Sequence, residues 1–420
     1  MISDRQRLKK ELSEAGARFE IKNGVRGQFG GMRFERGWYT VSLQPAITPA
    51  RGSPRRLIIC IDGTWNEPES HTNVARLAQA LDTGKQSGQV VRYYSGVGVR
   101  LNQGPSFEMR HNWQLALESA AKYWTFLPAA FRRWLRHRAD SKTPSLSKTL
   151  LGGGLGLGID RIRRRAFFDL AAVYRPGDDI YIFGFSRGAA IARLLALQIA
   201  EVGIPKRIEA TFRKSALADD IIDRDLVLEQ TNLPVPNIKM LGVWDTVSSY
   251  IIPGEHDIEL FKRDLTVAVN VETAYHLVAI DERRKAFAPS LMKHEDRVQE
   301  IWFPGVHTNV GGGYVDPKTI EPDFGISDIS LGFMINRAKE HNVSFAHPSP
   351  LDPPLHPNAR GPIDPSAWKL GKEDRLIHVE GKADARPLIH KSVQDRRDAM
   401  PYEPRPLLNL GQTYEVDERN

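Results

Sequence analysis

Leu57-Ile58-Ile59-Cys60-Ile61 is an unbroken apolar run, as expected of a strand buried on both faces. It stops at Asp62-Gly63-Thr64, and helical spacing follows over residues 73–81, ending near Gly84. Val90 to Tyr94 repeats the strand pattern and halts at Ser95-Gly96-Val97-Gly98. Beyond an insertion come a predicted helix over 159–174, closed by Pro176-Gly177, and a strand over 179–183. A helix over 189–202 follows, with Ile191, Leu194, Leu195 and Ile199 on one face and Gly203 at its end. Further strands are predicted at 238–244 and 298–303. Repeated strand–helix–strand order with short connections predicts an α/β fold: a doubly wound, mostly parallel sheet, helices on both faces, and an α-helical insertion.

The flanks are less regular. The first 25 residues read as an exposed charged helix, 31–43 as a short hairpin turning at Arg36-Gly37, and 44–55 as a linker. Residues 347–406 hold 11 of the 27 prolines and read as an irregular arm. The expected organisation is an N-terminal extension (1–55), an α/β domain (56–345) and a C-terminal arm packed on it (346–420).

Composition narrows the functions available. The chain has 420 residues, of which 41% are hydrophobic, enough for a sizeable core. No run of 18 apolar residues occurs; the greasiest stretch, Ala189 to Ile204, is broken by Arg193, Gln198 and Glu201. Met1 to Gly16 has no apolar h-region, so the expectation is cytoplasmic synthesis without a secretory signal. That leaves room for signal-independent export or peripheral membrane association. The single cysteine, Cys60, excludes an internal disulfide and a cysteine-based metal site.

The net charge of +7 is unevenly spread: residues 1–56 carry +7, residues 100–150 carry +6, and the rest carries −6. In the second basic segment Trp113, Leu117, Ala120, Trp124, Leu127, Phe131 and Trp134 form one helical stripe, beside Arg132, Arg133, Arg136 and Arg138. Two readings stand. The stripe is an aromatic lid touching an anionic bilayer surface, or it packs on the domain with the arginines solvated.

In open α/β sheets, sites form at the carboxyl ends of strands. Asp62, Ser186, Asp245 and His307 all fall there. Gly184-Phe185-Ser186-Arg187-Gly188 matches G-x-S-x-G, which puts a serine nucleophile on a sharp strand-to-helix turn. Asp245 is the candidate acid that orients a histidine, and His307 the candidate general base. His276, in the apparent helix Ala274-Tyr275-His276-Leu277, and His390 in the tail are the rival bases. The oxyanion would be held by backbone N–H groups of Arg187 and of Gly63 or Thr64, with Asp62 pinning the latter loop. No acidic cluster accompanies Asp62, so neither metal nor cofactor is expected.

These residues resemble a family of α/β-hydrolases that includes the type VI secretion lipase effectors of the first Tle subfamily. The resemblance rests on IDGTWN (61–66), TNV (72–74), YYSGVG (93–98), PGDDIYIFGFSRGAA (176–190), GVWDTV (242–247), AIDERRKAF (279–287), WFPGVHTNVGGGY (302–314) and the HKSV tract from 390, spanning about 56–410. It implies an α/β-hydrolase-like sheet, ester hydrolysis of phospholipase type, and a triad of Ser186, Asp245 and His307. One departure is Asn309, where the family commonly carries Asp. Set against the known effectors, no counterpart of their large extra C-terminal module is expected within these 420 residues.

The leading reading is a serine hydrolase acting on esters or phospholipids through an acyl-enzyme. The alternative is a non-catalytic module of the same fold that binds a membrane or a protein partner through its basic segments. A nucleic-acid role is weakest, because no nucleic-acid fold signature accompanies the basic segments.

Overall fold

The structure is a computed structural model. It describes residues 12–13, 18–23, 27–29, 32–34, 38–46, 54–64, 66, 68–84, 86–96, 145–213, 221–222, 226–230, 233–247, 266–313, 325–347, 351, 354–363, 373–410 and 413–420. The aromatic stripe at 113–134 lies outside them.

In chain order the strands are β1 (Arg18–Asn23), β2 (Gly27–Phe29), β3 (Met32–Phe34), β4 (Trp38–Gln44), β5 (Arg56–Ile61), β6 (Gln89–Tyr94), β7 (Asp179–Phe185), β8 (Arg207–Arg213), β9 (Ile221–Ile222), β10 (Val227–Glu229), β11 (Ile238–Trp244), β12 (Ala274–Ala279), β13 (Val298–Phe303), β14 (Leu388–His390) and β15 (Glu415–Asp417). The α-helices are α1 (Asn73–Ala80), α2 (Ser145–Val173), α3 (Arg187–Val202), α4 (His307–Gly311), α5 (Gly325–Glu340), α6 (Ser392–Ala399) and α7 (Arg405–Leu410).

Eight strands form one sheet in the order β15-β14-β13-β12-β11-β7-β5-β6. Every pairing in it is parallel. The alternation of side chains explains the two layers. Leu57, Ile59 and Ile61 of β5 join the core formed with α2 and α3. Ile58 and Cys60 join the opposite core, with Val74 and Leu77 of α1 and Leu331 and Met334 of α5. Both faces are therefore covered, which is why β5 reads as a continuous apolar run.

The chain leaves β5 for β6, then crosses back to place β7 on β5's other side. This reversal opens a crevice between the carboxyl ends of β5 and β7. The loop after β5 begins at Asp62 and the loop after β7 begins at Ser186, so the strand order alone makes them neighbours.

Three expectations need correction. The expected helix over the first 25 residues does not extend through Arg18–Asn23, which is strand β1, and β3 and β4 do not pair as a hairpin about Arg36-Gly37; residues 1–11 and 14–17 lie outside the described ones. β3 pairs with β2, while β1, β4, β8 and β10 build a second, antiparallel sheet with β9 at the side. β4 alternates buried Val41 and Leu43 with partly exposed Ser42, and it is central because both β1 and β8 offer it an edge. This small sheet meets α2 where Phe212 packs edge-on against Phe168, ring centroids 5.6 Å apart.

His276 lies on a strand, not in a helix: Ala274–Ala279 is buried along its whole length between β11 and β13. A six-residue apolar run is too short to tell strand from helix by period. The third correction concerns the tail. Its prolines punctuate but do not prevent order, since β14 and β15 extend the main sheet. A third apolar cluster, with Val278, Trp302, Ile377, Ile389, Val393 and Leu407, fastens this tail to β12 and β13.

Candidate active site

Ser186 stands between the last residue of β7 and the first of α3, at φ 57° and ψ −122°. A positive φ is uncommon for a non-glycine residue and costs on the order of 1–3 kcal/mol, so the surroundings must impose it. They do so by crowding. A methyl group placed on Gly188 would lie 2.3 Å from the Ile61 carbonyl oxygen, and one on Gly184 would lie 2.6 Å from the Gly188 carbonyl oxygen. Only glycine lets the turn sit this close to β5. The Ser186 N–H donates to the Trp244 carbonyl at 3.0 Å, which pins the turn to β11.

The serine is 5% exposed, and its Oγ–H donates to His307 Nε2 at 2.8 Å. His307 Nδ1–H donates to Asp245 Oδ2 at 2.6 Å. Three sequence-nominated residues, 121 and 62 positions apart along the chain, thus form one hydrogen-bonded series. Asp245 follows β11 at φ 39° and is fully buried. His307 opens α4 after β13, its ring against Phe185 and edge-on to Phe287 at 4.6 and 4.8 Å.

Electrostatics assign the protonation states. Burial alone would raise the Asp245 pKa, but the Arg375 guanidinium and His307 outweigh it and hold the carboxyl well below the ordinary range. For His307 burial lowers the pKa, against the pull of Asp245, so the imidazole is neutral near pH 7. With Nδ1 donating to a carboxylate, Nε2 is left as the acceptor facing Ser186.

The acid is more elaborately held than its spacing in sequence suggested. Arg375 Nη1 donates to Asp245 Oδ1 at 2.6 Å and Nη2 to Oδ2 at 2.9 Å, a two-pronged pair. The same guanidinium donates to the Ala279 and Phe287 carbonyls. The Ala279 N–H adds a further bond to Oδ1 at 3.0 Å. Arg375 comes from the C-terminal tail, with nothing local to mark it. Glu282 is a second residue without an assigned role in the sequence reading. It is buried, accepts the His307 N–H at 3.2 Å and is itself held by Arg284.

The rival histidines have other tasks. His276 Nδ1–H donates to Glu300 at 2.8 Å and Nε2 accepts the Thr246 N–H at 3.0 Å, which fixes the backbone just after Asp245. His390 stacks on Phe303 at 4.3 Å, accepts from Ser392 at 2.8 Å and donates to the Arg419 carbonyl at 2.9 Å. Both of its nitrogens are committed.

The loop after β5 lies against the serine: a methyl group on Gly63 would be 3.1 Å from Ser186 Cβ. Asp62, fully buried, accepts from Thr72 at 2.5 Å, Tyr93 at 2.7 Å and the Gly63 N–H at 2.6 Å. Burial pushes its pKa up to about 6, against the pull of those hydrogen bonds. The expectation for Gly63 changes accordingly, because its N–H is spent on Asp62. Thr64 is the other residue of this loop expected to donate, and its Oγ1 is buried with no partner among the described residues. Asn309 has two backbone contacts that fix its place. Its Oδ1 accepts the Val306 N–H at 3.2 Å and its Nδ2 donates to the Pro362 carbonyl at 3.1 Å, a bond that Asp could not make.

Among the described residues no three His, Cys, Asp or Glu side chains are grouped to hold a metal, and no helix is long and apolar enough to cross a membrane.

Residues 55–337 match the family described as the T6SS phospholipase effector Tle1-like catalytic domain. An uncharacterized Saccharomyces cerevisiae protein, YEL023C, is 26% identical over 275 residues, covering 59% of this chain and 33% of the yeast protein. A solved uncharacterized protein from Pseudomonas aeruginosa is similar at 21% identity and TM-score 0.42, over 73% of this chain and 49% of that one. The Tle1 effector solved on the VgrG spike of the type 6 secretion system is similar at 16% identity and TM-score 0.32, over 71% and 57%. The chain therefore spans from about a third to somewhat over half the length of these relatives. With more than half of its residues matched by one family model, the chain belongs to the Tle1-like phospholipase effector catalytic-domain family.

Proposed function

We propose that this protein is a serine hydrolase of carboxylic esters, of phospholipase type, working through Ser186, His307 and Asp245. The observation that carries the reading is the continuous hydrogen-bonded series from Ser186 Oγ through the imidazole to a carboxylate, at 2.8 and 2.6 Å. Family membership supports the lipid class of substrate.

The chemistry follows from the protonation states. Ser186 Oγ attacks the ester carbonyl carbon as its proton passes to His307 Nε2, and the carbonyl π pair moves onto oxygen. Backbone N–H groups of Arg187 and Thr64 would hold that oxyanion. Collapse breaks the acyl C–O bond, and His307 returns the proton to the leaving alcohol or lysolipid. Water then attacks the acyl-serine, again giving its proton to His307, and the carboxylic acid leaves with Ser186 restored. Asp245 stabilises the imidazolium formed in each half. Delivery through a type VI apparatus is the corresponding biological reading, supported by the effector family alone.

The test is fatty-acid release from mixed phospholipid vesicles. Wild type is expected to release fatty acid, while Ser186→Ala and His307→Ala release none above background with their circular dichroism unchanged. Equal release by wild type and Ser186→Ala would overturn the assignment.

A further inference from the structure

Among the described residues, the buried arginines are each matched by an acceptor. Arg76 pairs with Asp328, Arg375 with Asp245, and Arg193 donates to the Ser290 and Leu291 carbonyls. Arg396 donates to the Gly361 carbonyl at 2.8 Å. Arg187 breaks the pattern. It is the residue directly after Ser186 and is only partly exposed, yet no carboxylate, carbonyl or hydroxyl engages its guanidinium among the described residues. Burial alone acts on it, pulling its pKa down to about 10, and no neighbouring anion pulls the other way. A half-desolvated charge without a partner is costly and is retained where a ligand supplies the partner.

The neighbourhood gives a second sign. Thr64 Oγ1 is also buried without a partner among the described residues, on the loop that packs against Ser186. Two donors with no partner among the described residues therefore stem from the two loops that border the crevice between β5 and β7. Consecutive Cα atoms are only about 3.8 Å apart, so the Arg187 side chain starts next to Ser186 and its reach covers a group bound beside the serine. In a glycerophospholipid only the glycerol carbons separate the acyl ester from the phosphate. Planar guanidinium is well suited to phosphate oxygens.

We infer that the Arg187 side chain is the phosphate subsite: it binds the anionic phosphate of a glycerophospholipid whose ester lies at Ser186. This rests on the serine-hydrolase reading and sharpens it, by requiring a phosphate beside the scissile ester. Neutral acylglycerols then bind without an ion-pair partner and are poor substrates.

The experiment compares two monomeric substrates that carry identical esters, dihexanoylglycerol phosphate and dihexanoylglycerol, below their aggregation limits. Wild type is expected to favour the phosphate form in kcat/KM. Arg187→Met is expected to cut that preference about ten- to a hundredfold, the worth of a charge-assisted hydrogen bond, chiefly through KM. Arg187→Lys is expected to retain part of it. An equal loss on both substrates would mean a structural role only, and an unchanged preference would mean that phosphate is read elsewhere; each overturns the subsite. Added inorganic phosphate is a further arm. Inhibition by millimolar phosphate, with no preference between the two esters, would show a site for the free anion and overturn the substrate assignment. If wild type cleaves neither ester and Ser186 takes no fluorophosphonate, the hydrolase reading itself has failed, and that outcome is distinct from loss of the preference alone.

Discussion

The two ends of the hydrogen-bonded series are built by different means. The serine end is local: five residues, two of them glycines in close backbone contact, hold Ser186 in a strained turn. The acid end is remote. Asp245 is held by Arg375, 130 positions further along the chain, and by the backbone of Ala279 at the end of β12. A nucleophile needs a particular backbone, which a short motif can encode. A fully buried carboxylate needs charge compensation, which any element that reaches it can supply.

This difference orders the expected effects of breaking each end. The largest follows loss of the nucleophile: Ser186→Ala is expected to reduce kcat on the order of 10⁶-fold, measured as fatty-acid release. Asp245→Asn comes next at about 10⁴-fold, because an amide can hold the imidazole in the wrong tautomer.

Arg375→Met separates the remote device from the local one. Misplacing the acid is expected to cost about 10²-fold in kcat. Leaving Asp245 buried without its cationic partner is expected to cost about 3–5 kcal/mol of stability by denaturant unfolding. Its pH profile gives a signature that plain destabilisation would not. The working imidazole is neutral and its pKa is lowered by burial, so the wild-type acidic limb of kcat/KM lies below about 6.5 and activity rises with pH through it. Arg375 also lowers the His307 pKa by charge. Without it the Asp245 charge acts on the imidazolium undiluted, and the limb is expected to move to higher pH. A limb that stays in place in Arg375→Met would mean that the guanidinium is only a strut.

The smallest effect is expected from Asn309→Asp. It removes the Nδ2 bond to the Pro362 carbonyl and should lower stability by about 1 kcal/mol, with the acidic limb unmoved. A shifted limb would show that this side chain acts on the imidazole.

The same contrast explains what was legible in the sequence. The run at Leu57, the G-x-S-x-G turn and the strand ends at Asp245 and His307 are written in neighbouring residues, and each appears where its pattern placed it. The strand that carries His276 was misread because six apolar residues carry no decisive period. The four-stranded path of the second sheet was missed because β4 meets partners on both sides, one of them β8, far along the chain. Arg375 had no signal at all: Asp374-Arg375-Leu376 looks like any charged surface stretch, and its burial is a tertiary fact. Glu282 lay inside a recognised motif, yet its bond to the His307 amide emerges only when β12 and β13 lie side by side.

The central claim is that Ser186 is an activated nucleophile, and intact-protein mass after incubation with a fluorophosphonate tests it most directly. The expected result is one adduct on wild type, slower labelling of Arg375→Met, and none on Ser186→Ala. Absence of an adduct on folded wild type, in buffer and with anionic vesicles alike, would contradict the account, as would an adduct that persists in Ser186→Ala.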